Sequence, residues 1–254
     1  MDIPYILVEF QMGQEEQQLS KQLQQILDRY RGLSGDIDYF SLLSDKAIVD
    51  YAESLAEFDI DSLETNAQRL AFWINCYNAL SIYGVVKKIQ SDPDFAKTGH
   101  GNWFKRVRFF ALNRYTVAGK KYTLRQIENY IRKEFNEPRI HFALNCASSS
   151  CPILKDGLYS PENIEEELNT AAKLFIRNQR GSQLNKEEMI LRLSAIFKWY
   201  REDFEATGKT LPQYVAEYLP KEDQEFILKN GSKLEIQFLD YNWSLNIITE
   251  SEES

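Results

Sequence analysis

Leu70-Ala-Phe-Trp-Ile-Asn-Cys-Tyr-Asn-Ala-Leu-Ser-Ile-Tyr-Gly-Val-Val86 is the stretch on which the fold turns. Apolar side chains fill almost every helical position, and Asn75, Asn78 and Ser81 interrupt them. A helix without a polar face has to be surrounded by protein. The pattern therefore predicts a central, buried helix over about residues 64–90, with Ser62 or Thr65 as its cap. Asn75 and Asn78 are three residues apart and share a face. Buried amides need partners, so each either ties neighbouring backbone together or faces a pocket.

A second segment carries the chemistry: Arg139-Ile-His-Phe-Ala-Leu-Asn-Cys-Ala-Ser-Ser-Ser-Cys-Pro-Ile-Leu154. It holds one of the chain's two histidines and two of its three cysteines. The apolar run 140–144 reads as a strand, and Ala147-Ser-Ser-Ser150 as its exit turn. On a regular strand His141, Ala143 and Asn145 would share one face, with Phe142, Leu144 and Cys146 on the other. That alternation predicts Cys146 in the core and leaves Cys151, beyond the turn, free to fold back toward His141. A thiol hydrolase needs a thiolate, a base to form it and donors for an oxyanion. Cys151 is the candidate nucleophile, His141 the candidate base, and Asn75 the candidate orienter or oxyanion donor. Cys76, inside the apolar helix, reads as inert packing. Zinc would accept the His-x4-Cys-x4-Cys spacing with Asp156 nearby, but no fourth ligand is evident. No metal and no cofactor is predicted.

Outward from these segments the chain alternates helices with short strands. Leu19, Leu23, Ile26, Leu27 and Tyr30 recur at helical steps over residues 14–30. One or two helices follow over 38–58. Residues 91–104, with His100, read as an exposed and mobile loop. Ala118-Gly-Lys120 reads as a hairpin turn, Thr123 as a helix start, and Ser160-Pro-Glu-Asn as another. Strands are expected at 189–193 and around Ile236, an aromatic helix at 194–204 and another helix at 211–219. Residues 1–12 read as a short strand or docked segment, and 249–254 as a disordered acidic tail. The fold class is α+β: one mostly helical domain around a small antiparallel sheet, with the buried helix packed on a sheet that contains residues 140–145.

Composition excludes several functions. The chain has 254 residues, 43% hydrophobic and 13% aromatic, which suits a packed globular domain. Its net charge of -8 argues against a nucleic-acid partner, which needs a basic footprint. Lys105, Arg106, Arg108 and Arg114 read as a solvated basic loop. No apolar run approaches the roughly 20 residues of a membrane span, so no membrane partner is expected. Three cysteines, an odd and small number, predict reduced thiols and a cytoplasmic location. Phosphate-binding glycine loops and serine-nucleophile elbows are both missing.

Four separated segments resemble one family, domain of unknown function 547. They are Ala71-Phe-Trp-Ile-Asn-Cys-Tyr-Asn78, Ile140-His-Phe-Ala-Leu-Asn-Cys-Ala147 with Ser150-Cys-Pro152, Leu193-Ser-Ala-Ile-Phe-Lys-Trp-Tyr-Arg-Glu-Asp-Phe204, and Tyr241-Asn-Trp-Ser-Leu-Asn246. The resemblance spans residues 51–246. It implies no established activity, and by analogy of fold it points distantly to papain- and transglutaminase-like thiol hydrolases. Two readings stand at this point. One is a thiol-dependent hydrolase or acyltransferase acting on a small molecule or peptide through Cys151 and His141. The other is a non-enzymatic ligand- or peptide-binding module in which the asparagines and histidine are structural.

Overall fold

The computed structural model describes residues 13–248; the segment expected at 1–12 and the tail at 249–254 lie outside them. Helices α1 (Gln14–Tyr30), α2 (Tyr39–Leu43) and α3 (Ala47–Glu57) lead to the long α4 (Asn66–Ser91). Short helices α5 (Phe95–Thr98) and α6 (Trp103–Val107) follow, then a π turn at Arg108–Leu112. The hairpin β1 (Tyr115–Val117) and β2 (Lys120–Tyr122) leads into α7 (Leu124–Phe135). After a 3-10 turn at Pro138–Phe142 come α8 (Ile164–Ile176), β3 (Ser182–Asn185) and β4 (Ile190–Leu193). The chain then forms α9 (Ala195–Trp199), α10 (Arg201–Glu205), α11 (Leu211–Ala216), α12 (Lys221–Asn230) and β5 (Glu235–Phe238). This is the expected α+β architecture, mostly helical with small sheets.

The central helix starts at Thr65, one of the two caps read from the sequence. Gln68 N donates to Thr65 Oγ1 at 3.2 Å and Gln68 Oε1 accepts from Thr65 N at 3.0 Å, which satisfies two otherwise orphaned donors. Leu70, Phe72, Trp73, Ile74, Tyr77, Leu80, Val85 and Val86 are all buried. Helix α4 packs against α2, α3 and α7, so a shell of helices covers its apolar circumference. Thr123 and Gln126 repeat the capping box at the start of α7.

Buried side chains form two apolar clusters. The first gathers α1, α3, α4 and α7 around residues such as Leu23, Leu55, Ile74, Leu80 and Ile127. The second holds Phe175, Leu191, Leu193, Phe197, Phe204 and Tyr214. Its sheet pairs β3 with β4 antiparallel, Ser182 facing Leu193, and adds β5 parallel to β4 at the other edge. The segment after α7 is shared: Ile140, Ala143 and Leu144 enter the first cluster, whereas Phe142 enters the second.

That segment is where the strand expectation fails. Residues 140–145 form no strand; Pro138 and the Glu137 carboxylate, which accepts from Arg139 N at 2.9 Å, start a 3-10 turn. A short apolar run wedged between two clusters is buried on all sides, and periodicity cannot distinguish that from a strand. Without a ladder, the buried backbone turns to amide side chains. Asn78 Nδ2 donates to Ala143 O at 3.0 Å, and Asn145 N donates to Asn78 Oδ1 at 2.8 Å. Asn145 then donates to Pro152 O at 2.8 Å and accepts from Ala147 N at 2.8 Å. Helix α4 therefore does not lie on a sheet containing this segment; it grips the segment through Asn78.

Residues 91–104 are also more ordered than expected. His100 is fully buried, ringed by Phe95, Phe109 and Phe110 at centroid distances of 5.3, 4.5 and 5.0 Å. Gly99 permits this with φ of 53°; a Cβ there would lie 2.6 Å from Trp243 O. Replacing Asn78 with Ala should leave a buried carbonyl and a buried N–H without partners, a loss of about 2–5 kcal/mol. Urea unfolding of Asn78→Ala checks this, and a loss under about 1 kcal/mol would show that the clamp is dispensable.

Candidate active site

The turn at 138–142, the loop to Pro152, α9 and the Tyr241–Trp243 segment converge on one cavity of about 110 Å³, which α4 and α7 also line through Tyr77 and Glu128. His141, Cys146, Cys151, Tyr200, Tyr241 and Glu128 all line it. The structure thus brings together both thiol candidates and the histidine. Cys146 is not core as strand alternation implied: it is half-buried, and Cys151 is the more buried of the two at 4% exposure.

The expectation of three reduced cysteines is overturned. Cys146 and Cys151 are joined in a disulfide, while Cys76 is a free, buried thiol whose pKa burial pushes up. The cause is local: the serine turn closes tightly enough to bring the two Cα atoms to 6.3 Å, within bonding reach. Ala147 makes the turn with φ of 61°, a left-handed conformation that costs a residue with a Cβ some strain. Asn145 Oδ1, bonded to the Ala147 N–H, holds it there. Tyr241 Oη donates to Cys151 Sγ at 3.1 Å and lies 3.4 Å from Cys146 Sγ. Cys146 N also donates to Cys151 Sγ, at 3.0 Å.

His141 is held from one side by charge. Its Nε2 is 2.6 Å from Asp203 Oδ2, and Arg132 of α7 meets the same carboxylate with Nε at 2.6 Å and Nη2 at 2.9 Å. Burial alone would raise the Asp203 pKa. Hydrogen bonds from His141 and Arg132, with the Arg132 charge, reverse this and hold it well below the usual carboxylate range. An ionised carboxylate only accepts, so Nε2 carries the ring proton. Burial lowers the His141 pKa below that of an ordinary histidine, and the Asp203 bond and the Glu128 charge offset only part of this. The ring therefore rests neutral. Tyr200 stacks on it at 4.0 Å between centroids, and its hydroxyl donates to Glu128.

Asn75 is placed elsewhere. Its Nδ2 donates to Tyr159 O at 2.8 Å, its Oδ1 accepts from Tyr159 N at 3.0 Å, and it is not on the wall of the His141 cavity. Both amide atoms are engaged with backbone, which leaves little for an oxyanion. The residues missed from sequence are Asp203, Arg132, Glu128, Tyr200 and Tyr241. Arg201 turns to Glu205 at 3.8 Å on the outside, whereas Asp203 turns inward to Arg132.

Residues 60–176 match the DUF547 family model, "Protein of unknown function". No curated protein and no solved structure matches the chain. The DUF547 match lies inside the longer span of the resemblance, 51–246, and it contains Asn75, Arg132, His141, Cys146 and Cys151. Among the described residues no His, Cys, Asp and Glu side chains gather as a metal site, so zinc gains no support. No helix among them is long and apolar enough to cross a membrane.

Both histidines are buried with lowered pKa values, and this fixes a pH dependence. For His100 burial is the main cause; neither ring nitrogen has a hydrogen-bond partner of normal geometry, although the nearby Cys146 backbone offsets part of the drop to about 4. The unfolded chain binds the His100 proton near pH 6.5 and the fold only near about 4, so its share of the stability is full above pH 6.5 and falls as pH drops toward about 4; His141 acts in the same direction. His100 alone should cost on the order of 3 kcal/mol across that window. Thermal melts of wild type and His100→Phe between pH 7 and 4.5 check this. Equal slopes for the two proteins would contradict it.

Proposed function

We propose that the cavity is a thiol-dependent hydrolase or acyltransferase site, held closed as the disulfide and armed by a thiol reductant. Cys151 is the nucleophile, His141 the base and Asp203 the orienter, in place of Asn75. One observation carries the reading: a neutral, buried histidine, fixed through Nε2 by an ionised carboxylate, shares a small cavity with two cysteines. Fixing Nε2 leaves Nδ1 as the nitrogen that exchanges a proton, and Asp203 stabilises the imidazolium that results. Two donors already aim at Cys151 Sγ, the Cys146 N–H and the Tyr241 hydroxyl. Donors to sulfur favour the thiolate, and those on Cys151 Sγ, at 3.0 and 3.1 Å, lie closer than the Ser148 and Tyr241 hydroxyls do to Cys146 Sγ, at 3.3 and 3.4 Å, which supports Cys151.

The chemistry balances as follows. A dithiol reductant gives two electrons and two protons to the disulfide and leaves as its own disulfide. His141 takes the Cys151 proton, and the thiolate attacks an acyl carbonyl. The bond to the leaving group breaks as a thioester forms, and His141 returns the proton to the leaving group. Water, deprotonated by His141, then hydrolyses the thioester and restores the thiol; an alcohol or amine in its place gives acyl transfer.

A second observation favours the binding-module reading. A groove of about 490 Å³ runs beside the cavity, with Phe142, Leu154 and Phe175 on its floor and Ile153 and Leu174 exposed at its rim. Such a groove suits an apolar ligand or peptide with or without chemistry at Cys151.

Alkylation separates the two. In the reduced protein Cys151 should react with iodoacetamide at neutral pH on the order of tenfold faster than a free thiol of pKa about 8.5. His141→Ala should remove that excess, and Asp203→Asn should diminish it. Asn75→Ala should leave it intact while lowering stability. A Cys151 that reacts no faster than a small thiol, in protein whose denatured control reacts fully, leaves the binding module as the reading. Untreated protein should show the Cys146–Cys151 link in a non-reducing peptide map, with Cys76 alone alkylated after unfolding.

A further inference from the structure

The chain carries a formal charge of -8, yet one cleft is strongly basic. It encloses about 690 Å³ beside the C-terminal half of α4. Lys87, Lys88, Lys105, Arg108 and Arg114 line it against a single carboxylate, Asp92. Lys88 is paired to Asp92 at 2.9 Å, and Lys105 donates to Thr98 Oγ1 at 2.8 Å. Lys87, Arg108 and Arg114 are exposed and enter no salt bridge among the described residues. In the same segment Trp103, Phe104 and Leu112 are 61%, 76% and 64% exposed. Read from sequence, the cations are a solvated loop, but solvation gives no reason for three large apolar side chains among them.

We propose that this face docks peripherally on an anionic phospholipid membrane. A lipid phosphate sits in the basic cleft, and Trp103, Phe104 and Leu112 enter the interfacial layer. A soluble phosphate compound would use the cations and leave the apolar side chains in water. The centre of a protein interface is depleted of lysine. A bilayer surface takes both kinds of residue at once: anionic headgroups attract the cations, and tryptophan, phenylalanine and leucine settle at the headgroup–acyl boundary. Phe104, Arg108 and Leu112 recur at four-residue steps, which sets apolar and cationic groups along one side of the turns. Peripheral docking needs no spanning helix, so the lack of an apolar run in the sequence does not bear on it. The face also adjoins the candidate active site, because the Arg106 guanidinium lies 4.7 Å over the ring of Trp243, which lines the His141 cavity.

Vesicle co-sedimentation of the full chain tests the proposal. The protein should sediment with phosphatidylcholine vesicles containing phosphatidylglycerol and stay in solution with phosphatidylcholine alone. Binding should fall as salt rises, since screening contracts from about 10 Å at 0.1 M to about 3 Å at 1 M. Arg108→Glu with Arg114→Glu should weaken it on the order of tenfold or more. Phe104→Ser with Leu112→Ser should weaken it as well. These positions are exposed, and thermal melts confirm folding; Lys87→Glu replaces any pair that fails to fold. Inorganic pyrophosphate that displaces the protein from vesicles supports phosphate recognition in the cleft. No sedimentation with phosphatidylglycerol overturns the proposal, as does wild-type sedimentation by either paired variant. Binding of pyrophosphate or of an oligonucleotide without vesicle binding also overturns it, and assigns the cleft to a soluble phosphate compound or to nucleic acid.

Discussion

Everything at the candidate site depends on how a buried, irregular backbone finds its hydrogen bonds. The segment from Pro138 to Tyr159 runs between two apolar clusters with neither a helix nor a ladder over most of its length. Each buried N–H and C=O there would cost free energy if left alone. Four asparagines take the place of a sheet. Asn78 serves residues 143 and 145, Asn145 serves 147 and 152, and Asn75 serves 159. Asn246, held by Tyr39, reaches toward Asn145 at 3.5 Å. The amide chain fixes the path of the loop, and that path sets where His141, Cys146 and Cys151 meet.

A second constraint crosses the interior. Asp203 belongs to α10, beside the second cluster, whereas Arg132 sits on α7, whose buried face belongs to the first. The carboxylate takes both Arg132 and His141, so the pairing that orients the imidazole also fastens the two halves of the core. A half-buried ion pair contributes modestly when its geometry is poor. This one is bidentate and carries a third donor from the histidine, the arrangement in which charge-assisted bonds are strongest. Arg132 also lies 4.8 Å over the Tyr200 ring, which itself stacks on His141.

The sequence made the helical frame readable because its signals are local. Thr65 and Thr123 start helices in the way their neighbours dictate, and the all-round apolarity of residues 70–86 leaves no alternative to burial. The 140–145 strand was misread because Ile140, Phe142 and Leu144 alternate as a strand would, while burial on every side is set by distant residues. His100 was misread for a similar reason: the glycines around it signal a loop, and the aromatic ring set that encloses it includes Phe109 and Phe110 from a later turn. The site was legible in part. His141 and the two cysteines declare themselves by type and proximity. Asp203 does not, because only tertiary packing decides which side of α10 meets Arg132. The disulfide is not legible because a count of three cysteines does not say which two the serine turn brings within bonding reach.

The matched stretch of the chain and the candidate site have different borders. The family match ends at residue 176, while Tyr200, Asp203 and Tyr241 all follow it. A fragment trimmed to the match would keep both sulfurs and the imidazole, yet lose the carboxylate that holds the ring and the phenol that faces the sulfurs. It would also lose Asn246 and the strand-like contact of Ser148 with Leu245, which brace the cysteine loop from behind. The smallest piece that keeps the candidate site whole therefore extends at least to Asn246, and boundaries drawn at the 60–176 match would cut through it.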